Sequence, residues 1–164
     1  MSLGAFLLAR FDNPIRRKTA LDAVGCCPEV KTWHAVEGPY HLVARTSTAV
    51  PPLPAGLEAL GEPEVWQICE VSQEASVVRP IQPGAAHSYV LIETEPDKTA
   101  AVTAALEALP AVRSCATTRG AWSLVAFLEG ESFRALDRVV TEEISSREGV
   151  LRLKQSRVID LQQL

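Results

Sequence analysis

A 17-residue stretch occurs twice in this chain, and the second occurrence lies 82 positions (110 − 28) after the first. Pro28 to Ala44 aligns with Pro110 to Ala126, identical at Pro28/Pro110, Val30/Val112, Gly38/Gly120, Leu42/Leu124, Val43/Val125 and Ala44/Ala126. Lys31/Arg113, Thr32/Ser114 and Tyr40/Trp122 are chemically close. Each copy reads as a strand, a tight turn at the glycine and a second strand. The matches fall on the turn and on the apolar core of the exit strand, where a repeated hairpin needs them. A tandem duplication of two small units follows as the expectation. Each unit buries little core by itself at this length, so each is expected to pack on the other or on a second chain.

The pattern around each hairpin extends the reading. In the first half, 5–11 is an apolar run suited to a strand. Pro14 opens a helix to about Val24, which Gly25 is placed to end. The hairpin strands are expected at 30–36 and 40–47. Pro51, Pro52, Pro54 and Gly56 leave room only for a short helix at Leu57–Leu60, and 64–71 alternates as a strand. Residues 72–87, with Pro80, Pro83 and Gly84, read as a linker, with a short strand at Ser76–Val78. The second half repeats the order with a strand at 89–94, a helix from Asp97 to Leu109 and hairpin strands at 111–118 and 121–128. Ser132 then caps a helix over 133–147, and a last strand begins at Val150.

Each half therefore reads β-α-β-β-α-β, and the fold class is α+β, two tandem ferredoxin-like repeats. The division is 3–71, a linker at 72–87, and 88–164. In Ala121 to Leu128, Trp122, Leu124, Ala126 and Leu128 are assigned to one face and Val125 and Phe127 to the other. A sheet that is apolar on both faces needs a second layer beyond its helices, so the two antiparallel sheets are expected to pack on each other.

Charge and cysteine content narrow the function. The net charge of −4 argues against a nucleic-acid-binding surface, and Arg16-Arg17-Lys18 reads as a solvated helix face. No basic leader or run of membrane-spanning length is present, so the expected location is cytoplasmic. Cys26, Cys27, Cys69 and Cys115 lack metal-ligand spacing; the adjacent Cys26 and Cys27 read as small residues closing a helix. There is no phosphate loop, dinucleotide fingerprint, zinc-protease motif or nucleophile elbow. No catalytic residue, metal or cofactor is expected. His34, His41 and His87 are scattered, and His41, beside the turn, is the one placed to titrate near a pocket. Glu142-Glu143 reads as a helix-surface pair. Arg119 to Phe127 shares some aromatic spacing with an RNA-binding strand, but the charge balance opposes that use.

Tyr89-Val-Leu-Ile-Glu-Thr-Glu-Pro-Asp-Lys98, Leu109-Pro-Ala-Val-Arg113, Arg119 to Ala126 and Arg147-Glu-Gly-Val150 occur in an order that resembles the effector-binding domain of Lrp/AsnC transcription regulators, a relative of the ACT domains. The resemblance covers nearly all of 88–161 and, more weakly, 5–46. Two departures stand out: there is no room before Ala5 for the family's helix-turn-helix, and His41 and Ser123 stand where an acidic residue is usual. The resemblance implies a non-enzymatic sensing and oligomerising module. Its effector would be a small molecule of amino-acid type, and it would associate with itself or with a separate regulatory protein, without nucleic acid or membrane. It also implies effector contact at Gly38, Pro39, Tyr40 and His41 and at Gly120, Ala121, Trp122 and Ser123. The residues alone allow the bland account, in which each glycine only supplies the turn's positive φ. Two alternatives remain. One is an enzyme of the dimeric α/β-barrel kind with His41, Tyr40 and Trp33 around a pocket; the other is a structural adaptor.

Overall fold

The computed structural model describes residues 3–11, 18, 21–22, 24–26, 28–48 and 65–159. The expected short helix at Leu57–Leu60, Cys27, and the Arg16-Arg17 pair lie outside the described residues. Among the described residues there are eight strands: β1 (Ala5–Arg10), β2 (Val30–Glu37), β3 (Leu42–Thr46), β4 (Val65–Gln73), β5 (Ala86–Thr94), β6 (Val112–Gly120), β7 (Leu124–Gly130) and β8 (Val150–Val158). Helix α1 spans Thr99–Glu107 and α2 spans Phe133–Val139. Lys18, Leu21, Asp22, Val24 and Gly25 are helical, within or next to the expected first helix. The described helices hold no segment long and apolar enough to cross a membrane.

The first four strands are ordered β4-β1-β3-β2 and the last four β8-β5-β7-β6, all antiparallel. The same order thus serves both halves, and it is the ferredoxin-like one. Both hairpins also carry a register shift at the same place, between Val30 and Thr32 and between Val112 and Ser114. The edges then differ from the expectation of two separate layered sheets. β2 pairs with β8 through Val36↔Val158 and Glu37↔Arg157, and β4 pairs with β6 from Cys69↔Gly120 to Gln73↔Thr117. The eight strands close into a barrel. Closure pairs edge N–H and C=O groups that two stacked sheets would leave open, over much of β4–β6 and at Val36 and Glu37 of β2.

Strand alternation sorts the core into three clusters. Inside the barrel lie Phe6, Leu8, Val36, Tyr40, Val43, Cys69, Val71, Tyr89, Leu91, Ala116, Trp122, Val125 and Phe127. On the outside, Leu124, Ala126 and Leu128 meet Val102 and Leu106 of α1 and Leu136 of α2. Leu7, Ala9, Leu42 and Ala44 meet Leu21 and Val24. Trp122 is a correction: it was assigned to the face of Leu124 but lies inside with Val125. It precedes the first laddered residue, Leu124, so the turn and not the strand alternation aims it. Ser132 caps α2 as expected, its Oγ accepting from the Ala135 N–H at 3.1 Å. That helix changes to a wider π-type turn at Val140–Ile144 instead of continuing as α-helix to 147.

Residues 74–85 contain no strand, so the one expected at Ser76–Val78 does not form. Arg79 anchors the segment instead. Its N–H donates to Arg113 O at 2.8 Å, and its guanidinium donates to the carbonyls of Val112 at 2.6 Å, Glu107 at 2.8 Å and Leu109 at 3.1 Å.

Candidate functional site

The hairpin tips hold the barrel together. Gly38 has φ +122° and Gly120 φ +117°, both in the region that favours glycine. Each is also pressed onto a strand of the opposite half: a Cβ on Gly38 would stand 3.1 Å from Gln155 O, and one on Gly120 only 2.8 Å from Ile68 O. Tyr40 and Trp122, the aromatics at matching positions, meet inside the barrel, where Trp122 Nε1–H donates to Tyr40 Oη at 3.1 Å. Tyr40 Oη in turn donates to Gln67 Oε1. Arg152 lies over the Trp122 ring at 4.4 Å.

The residues after those aromatics share a backbone role. His41 Nδ1 accepts from the Phe11 N–H at 2.9 Å, and Ser123 Oγ accepts from the Thr94 N–H at 3.1 Å. Each caps the exit of its half's first strand. Pro39 sits in the first turn and is half-buried, as is Ala121, which packs against the interior cluster. The eight tip residues are therefore brought to the two inter-half seams and their surroundings. Trp33 is elsewhere: it packs on the outer cluster with Leu21 and Val24, so His41, Tyr40 and Trp33 do not surround one pocket.

The cavity lies toward the other end of the hairpins. It measures about 390 Å³, and its walls include Phe6, Thr32, His34, Arg45, Tyr89, Ser114, Ala116, Val125 and Phe127, with Glu74, Ala75, Val78 and Ile81 from the 74–85 segment. That volume is in the range of small-ligand sites. The lining follows from the register. Thr32 pairs with Arg45 across one hairpin as Ser114 pairs with Phe127 across the other. Phe6 pairs with Arg45 as Tyr89 pairs with Phe127. Corresponding positions of the two halves thus face one space.

His34 Nδ1 and Tyr89 Oη are 2.7 Å apart. Burial pushes the Tyr89 phenol up and holds it protonated. Burial, reinforced by nearby His87, pushes the His34 imidazole below its ordinary 6.5. A protonated phenol can therefore donate to the Nδ1 of a neutral imidazole. His34 and His87 both stack on Phe127, with centroids 5.6 and 5.3 Å away. His87 Nε2 is 3.0 Å from Glu129, which is only 4% exposed, and Arg113 Nη2 is 2.7 Å from the same carboxylate. The Gln82 N–H also donates to Glu129 and is the main cause holding that carboxyl below its usual range, with His87 and Arg113 adding to it. The 74–85 segment is thereby tied down beside the cavity mouth.

Sequence reasoning singled out His41 and passed over His34, Arg45 and Phe127. The available signal was the hairpin alignment itself, which sets Arg45 opposite Phe127 and His34 opposite Ala116. Among the described residues, no group of three or more His, Cys, Asp or Glu side chains could hold a metal ion.

Residues 87–161 match the model of the Lrp/AsnC ligand binding domain family. That match takes in β5 through β8, α1, α2 and Gly120, the tip of the second hairpin. No curated protein sequence matches the chain. Among solved structures, E. coli AsnC is 19% identical over 52% of this chain and 61% of its own, with a TM-score of 0.46. Two others extend beyond the Lrp/AsnC domain to nearly the whole chain. The siroheme decarboxylase NirDL superposes with a TM-score of 0.72 at 13% identity, over 95% of this chain and 71% of its own. A putative monooxygenase from Fusobacterium nucleatum gives 0.55 at 9% identity, over 96% and 93%. At such identities the likeness is one of fold: the barrel made by both halves recurs in other proteins.

Proposed function

We propose that this chain is a small-molecule-binding module of Lrp/AsnC type in which two tandem ferredoxin-like repeats, 3–71 and 88–164 joined by 72–87, pair within one chain. The observation that supports it is the 390 Å³ cavity lined by matching positions of the two halves, apolar on most of its wall and carrying His34, Arg45 and Tyr89. The effector would enter there, and its binding would favour one quaternary arrangement over another by differential affinity, in self-association or with a separate regulatory protein. The hairpin tips, Gly38 to His41 and Gly120 to Ser123, are the other placement for an effector. Gly38 does line a surface groove with Glu37, Gln155 and Arg157.

A thermal-shift screen of the purified chain against amino acids and common metabolic acids tests the reading. A ligand at 100 times its Kd adds about 2.7 kcal/mol, which moves Tm by roughly 5–10 °C for a chain of this length. The shift should vanish in Ala116→Phe, which fills the cavity, provided circular dichroism shows that the variant folds. A shift that survives Ala116→Phe but is lost on disturbing the Gly38 groove moves the effector to the tips. No shift with any compound removes the sensor reading in favour of the adaptor. A second reading, catalysis in the same cavity, is favoured by the His34–Tyr89 pair, a neutral base beside a protonated acid. Chemical change in a bound compound, lost in His34→Gln, distinguishes it.

A further inference from the structure

The cavity is polar on one side and apolar on the other. Arg45, with Thr32 and Phe6 beside it across the ladders, stands at the position that Phe127, with Ser114 and Tyr89, occupies in the second half. Where the first half presents a guanidinium the second presents a ring, and where the first presents His34 the second presents Ala116. Val125, Val78 and Ile81 add to the apolar side. A ligand in this space has one end near a cation and its body against aromatic and aliphatic groups.

Arg45 is poised for an exchange. Its Nη2 donates to Leu3 O at 2.6 Å and to Glu74 Oε1, and its Nη1 reaches Glu74 Oε2 at 3.4 Å, while its Nε is buried with no hydrogen-bond acceptor among the described residues. The guanidinium carbon lies 5.1 Å from the Phe6 ring centre. Arg45 is 15% exposed and Glu74 is 51% exposed, at the start of the 74–85 segment. An ion pair with so exposed a partner contributes little, so another carboxylate can take its place at small cost. Glu74 is the one carboxylate among the lining residues. With it displaced, the lining keeps one fixed positive charge and a neutral imidazole.

Resting on the cavity reading above, we propose that this site takes a small aromatic or branched aliphatic monocarboxylate, its carboxylate replacing that of Glu74 on Arg45 and its body lying against Phe127, Val125 and Ala116. The volume suits a ring with a short acid chain, since a dry cavity of about 150 Å³ holds one benzene. Arg favours this class because its planar fork matches a carboxylate in two-point contact.

Titration calorimetry on the full chain with 3-phenylpropionate, its neutral amide and phenylalanine tests the assignment. The acid should bind and the amide should bind about tenfold or more weakly, the usual worth of a charge-assisted pair. Phenylalanine, with an ammonium group to accommodate, should bind more weakly than the acid. Glu74→Gln removes the competing carboxylate and should tighten the acid by about two- to fivefold, whereas loss of a merely structural contact would weaken it or leave it unchanged. Equal binding of acid and amide, or unchanged or weaker acid binding in Glu74→Gln, overturns the proposal. If all three compounds fail while others in the thermal screen shift the wild type and not Ala116→Phe, the acid class falls and the cavity stands. If nothing binds in either experiment, both fall.

Discussion

Replacing Gly38 and Gly120 by alanine separates two costs that coincide in most glycine substitutions. Both positions have nearly the same φ, +122° and +117°. Holding a Cβ-bearing residue in that region costs about 1–3 kcal/mol, offset by about 0.4–1 kcal/mol because alanine restricts the unfolded chain more than glycine does. That part is common to the two variants. The difference lies in the space: the new Cβ would meet Gln155 O at 3.1 Å in one case and Ile68 O at 2.8 Å in the other. Both oxygens belong to laddered strands and cannot swing aside like a side-chain end. A few tenths of an ångström at Gly38 can be absorbed. At Gly120 the β4–β6 seam must open, an overpacking cost of about 1–3 kcal/mol. Gly38→Ala should therefore lose about 1–2 kcal/mol and Gly120→Ala about 2–4 kcal/mol. Urea unfolding at constant m-value measures both. Equal losses, or a larger loss at Gly38, would refute the account in which contact across the seams sets the difference.

Three further outcomes are expected. Tyr40→Phe leaves the buried Trp122 N–H without its acceptor and should cost about 1–3 kcal/mol; a cycle with Trp122→Phe should show coupling, and strict additivity would mean that the 3.1 Å contact contributes nothing. The Glu129 carboxyl is held low in the folded state, so its contribution is present above its ordinary 4.5 and is lost as pH falls through the folded value. The stability gap between wild type and Glu129→Gln, followed by urea midpoints from neutral to acid pH, should accordingly narrow below 4.5; a constant gap would contradict it. Iodoacetamide should label exposed Cys26 in the native chain and spare Cys69 and Cys115, whose thiols burial pushes up, the latter to about 12. Mass spectrometry of native and unfolded samples reads this directly.

Much of the fold was legible because its signals are local. A hairpin carries its turn glycine and its apolar exit strand within one short stretch, and both glycines adopt the expected positive φ. The capping serine at 132 and the alternation of Leu124, Ala126 and Leu128 against Val125 and Phe127 are equally short-range. The edge pairings were not legible, because nothing in β2 alone says that Val36 will lie beside Val158. Trp122 was misassigned for a related reason: two-residue alternation holds only within a ladder, and the turn reorients whatever precedes Leu124. The cavity was hidden because its lining comes from six strands and the 74–85 segment, with His34, Arg45 and Phe127 far apart in the chain. The His41 position attracted attention next to the turn, yet its imidazole meets the Phe11 N–H.

The ring of strands has a consequence for the order in which the chain can become whole. β4 gains its second neighbour once β6 exists, but β2 waits for β8, whose paired residue Val158 follows Val36 by 122 positions (158 − 36). A chain emerging from the ribosome therefore exposes one unpaired strand margin of its first hairpin until β8 has been made. Such a margin can recruit any extended neighbour, including the same strand of another nascent copy. A translation product that stops before Val150 would retain that margin, together with the uncovered side of β5. Truncated copies should therefore be more prone than intact ones to associate through strand addition.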